Sequence, residues 1–480
     1  MQTAATTEAP QDTGSDTIVI GLFEGERIAH DVDDGALQAL VDSGEARPGL
    51  RKLAVAHAGG DRYILAGLGA RDGFDAERAR IAAAAVVGRA KELGTRKLCW
   101  ELPHRVGDEV AGGFVEGTLL AAYEYVAYKS KPPDGPRIEQ LSVSAHHDIS
   151  EAVERAYVMA TAANAARDLQ NGPANDVTPL KLAERARALE AEHDAITVET
   201  MGRAEIEAAG MGAFAAVAQG SVQEPQLITV RYAPPQPSGP VLGLVGKAVT
   251  FDSGGISIKS RAKMAEMKFD MSGGAAVLEA TGAIARLGLP VPVVAVIGAT
   301  ENLPSDRSFK PSDIVRAKDG TTIEIIDTDA EGRLILADCL LHARELGAER
   351  LVDVATLTGA IVSALGSTHA GLFGADDAWC EAVAEAGRAT GELVWRMPLH
   401  EEYAKTLTGR YADIVNVVEA RKAASIVAAE FLKRFAGDVP WAHVDICGTA
   451  WNTGRPYAGK GGSGFGVRLL VELARAHAAA

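Results

Sequence analysis

The chain has 480 residues, of which 47% are hydrophobic and 23% charged, and its formal net charge is −16. That length favours more than one domain, and the composition is that of a globular chain rather than a disordered or fibrous one. The acidic surplus disfavours nonspecific binding to nucleic acid or to an anionic membrane, and the scattered Cys99, Cys339, Cys380 and Cys447 form no CxxC, which fits free thiols in a reducing, cytoplasmic compartment.

Residues 1–16 are polar and lack both a basic leader and an apolar run, so they read as a disordered tail rather than a secretory signal. Strands and helices then alternate. Residues 17–22 and 63–68 read as strands, 75–93 as a helix, 97–102 as a strand, 110–128 as a helix and 138–145 as a strand. This rhythm predicts an α/β sandwich over residues 17–148. The Ala-rich stretch 81–90 is bounded by Arg80 and interrupted by Arg89, so it cannot span a bilayer. The Pro-rich loop 130–136 breaks the domain internally. A helix over 149–170 is expected to connect to a second α/β domain, residues 171–480.

The second domain carries the chemistry. Asp327-Thr328-Asp329-Ala330-Glu331-Gly332-Arg333 lies between a strand-like run, 322–326, and a helix-like run, 334–341. In open α/β sheets such a turn is where ligands bind. Carboxylates this close repel unless a cation sits among them; the competing reading is a helix cap with an acidic first turn. Upstream, the apolar run 241–245 reads as a buried strand leading into Gly246-Lys247-Ala248-Val249-Thr250-Phe251-Asp252, and Met267-Lys268-Phe269-Asp270 precedes a helix over 275–287. Asp252, Asp270, Asp329 and Glu331 thus all fall near element ends. Oxygen donors suit hard or borderline divalent ions, and four carboxylates suit a pair better than one.

These blocks, with Ala166-Arg167-Asp168-Leu169-Gln170-Asn171, Glu301-Asn302-Leu303-Pro304, Asp353-Val354-Ala355-Thr356-Leu357-Thr358-Gly359 and His443-Val444-Asp445-Ile446-Cys447-Gly448-Thr449-Ala450-Trp451, occur in one order. In them the chain resembles the leucyl aminopeptidase family, the two-metal cytosol aminopeptidases. The resemblance implies a macrodomain-like N-terminal domain without catalytic residues and a larger catalytic domain with a central mixed sheet. It implies a homohexamer acting on peptides with a free N-terminus.

By the same resemblance, Lys247, Asp252, Asp270, Asp329 and Glu331 would ligate two divalent ions, Mn²⁺ or Zn²⁺. Asp252 and Glu331 would lie between the ions, Lys247 and Asp270 on the tighter one, and Asp329 on the exchangeable one. Water shared by two dications loses a proton near neutral pH and becomes the nucleophile. A lysine ligand must be neutral, which nearby dications and burial would favour; its plain alternative is a salt bridge to Asp252. Lys259 would meet the developing oxyanion, and Arg333 would hold bicarbonate with its planar fork. The plain alternatives are a surface lysine and a helix-surface ion pair. Met267, Thr356, Gly359, Cys447 and Ala450 would line an apolar pocket for a Leu- or Met-like side chain, with core packing as the alternative. The main chain at Leu357 would help hold substrate and bicarbonate.

The chain departs from the family at two places. Asp327 stands where the family has Asn, adding negative charge beside the centre. The segment Val417-Val418-Glu419-Ala420-Arg421-Lys422-Ala423-Ala424-Ser425 lacks the family's glycines, and Ala enters left-handed conformations at a cost.

Three other readings compete. Gly454-Arg455-Pro456-Tyr457-Ala458-Gly459-Lys460 fits the first places of a P-loop, but Gly461 stands where Ser or Thr would hold Mg²⁺. The carboxylates alone permit another two-metal hydrolase, such as a phosphoesterase, whereas no His-Glu-x-x-His exists for a single-zinc protease. Some relatives add a DNA-binding or scaffold role, which the acidic balance does not favour.

Overall fold

The computed structural model describes residues 1–131, 135–418 and 422–478. Residues 132–134 of the expected Pro-rich loop, 419–421 of the altered segment and the final 479–480 lie outside the described residues. The chain divides into two compact units, Met1–Asn164 with Gly454–Gly459, and Ala165–Thr453 with Lys460–Ala480. The expected connecting helix spans Ser150–Asn171.

The first unit holds β1 (Gln2–Thr6), β2 (Thr17–Phe23), β3 (Leu53–Ala58), β4 (Asp61–Gly69), β5 (Lys97–Glu101) and β6 (Gln140–Ser144), in the order β1-β6-β5-β2-β4-β3. Every pair is parallel except the β3–β4 hairpin. The expected disordered tail is corrected here. Residues 2–6 form an edge strand in register with β6, from Gln2 opposite Gln140 to Thr6 opposite Ser144. An edge strand needs a row of backbone hydrogen bonds but no apolar run, so hydropathy gave no signal. The helix expected over 110–128 spans only Asp108–Ala122; Tyr123, Tyr125 and Tyr128 crowd the remainder with weak helix formers. The P-loop reading fails on geometry. The strand before Gly454 ends at Asp445 and the next helix starts at Val467, while Tyr457 donates its hydroxyl proton to the Glu77 carboxylate.

The second unit holds β7 (Ile196–Met201), β8 (Gln226–Tyr232), β9 (Leu242–Asp252), β10 (Val293–Asn302), β11 (Ile314–Arg316), β12 (Thr322–Glu324), β13 (Arg350–Ala355), β14 (Ala370–Gly374), β15 (Val394–Arg396), β16 (Ile414–Val415) and β17 (Trp441–Asp445). Eight of them form a mixed sheet, β15-β14-β17-β13-β9-β10-β8-β7, and β11-β12-β16 form a small one. The central strands β17, β13, β9 and β10 run parallel. They are buried on both faces, which explains their unbroken apolar runs.

Glycines let helices approach this sheet closely. A Cβ on Gly246 would lie 2.7 Å from Gly274 of helix Ser272–Arg286, and one on Gly298 would strike Ile335 of helix Gly332–Glu345. Gly246 pairs with Ile297, so these two glycines, and the two helices, lie on opposite faces.

Two features position the site. The strand expected before Asp327 is β12 of the small sheet, not a strand of the central one, so the carboxylate turn follows a different sheet from the one that carries Lys247 and Asp252. The β9–β10 register also slips: Thr300 faces Val249, then Glu301 faces Phe251. Thr250 is therefore an extra residue. In a regular strand Lys247 and Asp252 would point to opposite faces; the bulge brings both to one side.

Candidate metal centre

The centre is assembled from three segments. The middle of β9 supplies Lys247 and its end supplies Asp252. The 3₁₀ turn Met264–Met271 supplies Asp270. The turn before helix Gly332–Glu345 supplies Asp329 and Glu331. Lys247 Nζ lies 2.8 Å from both Asp270 Oδ2 and Glu331 Oε1, and it donates to the Thr356 carbonyl at 3.1 Å. Lys259 Nζ lies 2.7 Å from Asp252 Oδ2 and 2.5 Å from Asp329 Oδ1. One oxygen each from Asp252, Asp329 and Glu331 falls within 4.8 Å of the others.

Two plain alternatives fall away. Glu331 occupies the N-cap position of its helix, yet its side chain makes no capping hydrogen bond and turns to Lys247 instead. Lys247 does not pair with Asp252; Lys259 does. With no ions among the carboxylates, the Lys247 pKa is set by its protein neighbours. Burial pushes it down, but Asp270, Glu331 and Asp252 outweigh burial and hold it above the ordinary lysine value. The amine becomes a ligand only when dications take over the neutralisation of those carboxylates.

The electrostatics indicate that the lysines alone do not balance the site. Burial and the Glu331 charge raise Asp252, and burial raises Asp270 well above the carboxylate range. Burial and Asp252 push Asp329 up to about 7. Glu331 alone is lowered, because Lys247 and Lys259 overcome its burial. A buried, oxygen-rich cluster short of positive charge fits hard or borderline divalent cations.

Asn302, Thr328 and Gly332, not assigned from the sequence, brace or accommodate these groups, together with Thr356, which was expected in the pocket. Asn302, opposite Asp252 in the register, donates to Asp252 Oδ1 and the Thr328 carbonyl, both at 2.9 Å. Thr328 donates to the Gly254 carbonyl at 2.6 Å and accepts from Ser257 N–H at 2.8 Å. Thr356 donates to Asp270 Oδ1 at 2.7 Å. Gly332 makes room for the lysine: a Cβ there would lie 2.7–2.8 Å from the end of the Lys247 side chain. The available signal for Asn302 was its place in a motif block; pairing it with Asp252 required the bulged register.

Arg333 is buried, and its Nη1 donates to the Asn416 carbonyl at 2.7 Å while its Nε has no partner. No carboxylate lies within ion-pair distance of it among the described residues. Burial brings its pKa down to about 10. A buried guanidinium with an unpaired donor is suited to an anion. The plain alternative of a helix-surface ion pair is not formed among the described residues.

Of the expected pocket residues, Thr356 and Ala450 are buried, Met267, Leu357 and Cys447 half-buried, and Gly359 is exposed at the start of helix Gly359–Leu365. Phe269 stacks on Trp451 with centroids 5.3 Å apart, joining the segments that carry Met267 and Ala450. Burial, Asp445 and Asp270 push the Cys447 thiol up, and Cys447 N–H donates to Asp445 Oδ1 at 3.2 Å. Leu357 N–H donates to Asp445 Oδ1 at 3.1 Å. At the departures, Asp327 Oδ1 accepts from Asp329 N–H at 3.0 Å, a turn that Asn could also make. Ala423 does adopt the left-handed region, with φ +54° and ψ +35°.

The catalytic-domain model of the cytosol aminopeptidase family matches residues 164–471, and the N-terminal-domain model of that family matches 19–132. A probable cytosol aminopeptidase of Roseiflexus castenholzii is 41% identical, covering 99% of each chain. One from Solibacter usitatus is 44% identical over 96% of each. The solved structure of the bottromycin maturation enzyme BotP in complex with Mn superposes with a TM-score of 0.87 at 35% identity, covering 96% of this chain and 99% of that one. The chain belongs to the cytosol aminopeptidase family and is a metallo-exopeptidase hydrolase.

Proposed function

We propose that this peptidase releases N-terminal residues at a pair of divalent ions, Mn²⁺ or Zn²⁺, ligated by Lys247, Asp252, Asp270, Asp329 and Glu331. The observation that carries this reading is the meeting of five side chains from three separate segments in a buried cluster whose carboxyls are short of positive charge. BotP, solved with Mn, lends support to manganese. The burial gradient supports unequal sites: the side chains of Lys247 and Asp270 are 3% and 9% exposed, that of Asp329 34%. Lys247 and Asp270 would hold the tighter ion and Asp329 the exchangeable one, with Asp252 and Glu331 shared.

Bound ions would supply an acidified shared water and a polarised scissile carbonyl. The protein's own part follows from exposure. Lys247 is sealed from substrate, whereas Lys259, 23% exposed, can turn its ammonium to the carbonyl oxygen as charge develops there. Arg333 would hold bicarbonate where a proton passes from water to the leaving amine. Docking of the substrate's free α-amine at the centre restricts cleavage to chain ends. Met267, Thr356, Gly359, Cys447 and Ala450 would shape the pocket for Leu- or Met-like side chains. A cytoplasmic homohexamer is the assembly the resemblance favours. No helix among the described residues is long and apolar enough to cross a membrane.

Hydrolysis of aminoacyl amides and their N-acetyl forms, with and without added Mn²⁺, tests the reading. Leucine and methionine amides should be cleaved, more rapidly with Mn²⁺, and the acetylated forms spared. Cleavage of blocked substrates would overturn the amine-docking step.

A further inference from the structure

The first unit gathers a different set of donors. In its sheet β2, β5 and β6 are parallel neighbours, so their carboxyl ends open on one edge. That edge is where α/β sheets place ligands. His104 lies in the turn after β5, His146 in the turn after β6, and His30 in the longer segment after β2. The three rings stand 4.8–5.2 Å apart, centroid to centroid, at tilted or edge-on angles. One ring nitrogen from each falls within 4.8 Å of the other two. Glu101, the last residue of β5, places Oε1 2.5 Å from His30 Nδ1.

Imidazoles do not cluster like this for packing, since all three are exposed to solvent. The neutral imidazole ring is the form that ligates metal. A carboxylate on the distal ring nitrogen is the usual brace of a metal-bound histidine, fixing its tautomer and aim.

We propose that His30, His104 and His146 form a second metal site, selective for a single borderline transition ion such as Zn²⁺, with Glu101 orienting His30 through Nδ1. Nitrogen donors separate this site from the oxygen-rich centre of the other unit, because imidazole suits Zn, Ni and Cu whereas carboxylates also accept Mg and Mn. Three protein ligands leave a fourth position for water or for a donor atom of a small ligand. His30 and His104 also line a cavity of about 590 Å³, together with Glu101 and Arg105.

The test uses the full chain with its catalytic centre saturated with Mn²⁺. Zn²⁺ is titrated against a chromogenic chelator, and bound metal in desalted protein is counted by mass spectrometry. The wild type should hold one more Zn²⁺ per chain than His104→Ala and than the double variant His30→Ala/His146→Ala, with peptidase activity unchanged. His104→Gln, which keeps a polar side chain at the exposed position, should lose the same equivalent, and Glu101→Gln should weaken it about 10–100-fold. Co²⁺ in the wild type should give the visible absorption of a tetrahedral site, absent from the histidine variants. Equal Zn²⁺ stoichiometry and affinity in the wild type and in folded His104→Ala and His104→Gln would overturn the proposal.

Discussion

The two units gather chemistry at sheet edges by opposite means. In the second unit, Lys247, Asp252, Asp270 and Glu331 are buried and held by Asn302, Thr328 and Thr356. In the first, His30, His104 and His146 are exposed on connecting segments and braced by one carboxylate. Burial amplifies each charge, which is why four carboxyls and two lysines distort one another's protonation so strongly. Exposure leaves the outer cluster dependent on donor chemistry alone. The buried site should fail steeply when any part is altered; the exposed one should lose only its own metal.

The sharpest break in that contrast comes from Glu331→Gln. Peptidase kcat should fall roughly 10³-fold, with the fold kept by circular dichroism. A fall no larger than that of His104→Ala would erase the distinction. In β13 Asp353 is buried, with His443 Nδ1 2.5 Å from its Oδ1 and buried Trp441 donating to its Oδ2 at 2.7 Å. Burial lowers the His443 pKa, but Asp353 more than compensates and raises it. Stability from this pair is therefore fully present below the unfolded histidine value, near 6.5, and is lost as pH rises through the folded value. Asp353→Asn should cost about 3–4 kcal/mol at acidic pH and less at alkaline pH. Chemical denaturation across pH checks it, and a pH-independent deficit would contradict the argument.

Gly332→Ala probes packing rather than charge. The new methyl meets the Lys247 side chain at 2.7–2.8 Å, and displacement of that amine should reduce kcat about 100-fold while leaving Lys259 in place. A fully active variant would mean that the lysine has slack. Ala423→Gly should do the reverse of harm. Relief of a left-handed alanine should stabilise the protein by about 1 kcal/mol, read as a higher Tm. Smallest of all is Asp327→Asn, which preserves the hydrogen bond to Asp329 N–H and removes one charge. Metal affinity should shift with turnover retained; identical affinity would show that this charge is screened from the ions.

Much of the site was legible before any coordinates. The family resemblance of the motif blocks implied that Lys247, Asp252, Asp270, Asp329 and Glu331 share one site, and the structure places their side chains in one cluster of close contacts. The ion pairing was not legible, because which lysine meets which carboxylate depends on the bulge at Thr250 and on the turn that follows β12 in a separate sheet. The alternating pattern over 17–145 located the core strands of the first unit, since their apolar periodicity reflects burial. It missed β1, whose stability comes from backbone pairing that composition does not record. The histidine cluster was invisible for a similar reason. His30, His104 and His146 share no local motif, and only the parallel alignment of three strands brings them to one place.

The irregularity at Thr250 has an evolutionary consequence. It makes the spacing of β9 a matter of phase: the interval from Lys247 to Asp252 works only because one residue is out of step with β10. Loss of that residue would restore a regular ladder and turn the aspartate to the wrong side of the sheet. This stretch should therefore accept exchanges of its apolar side chains far more readily than a change of even one residue in its length.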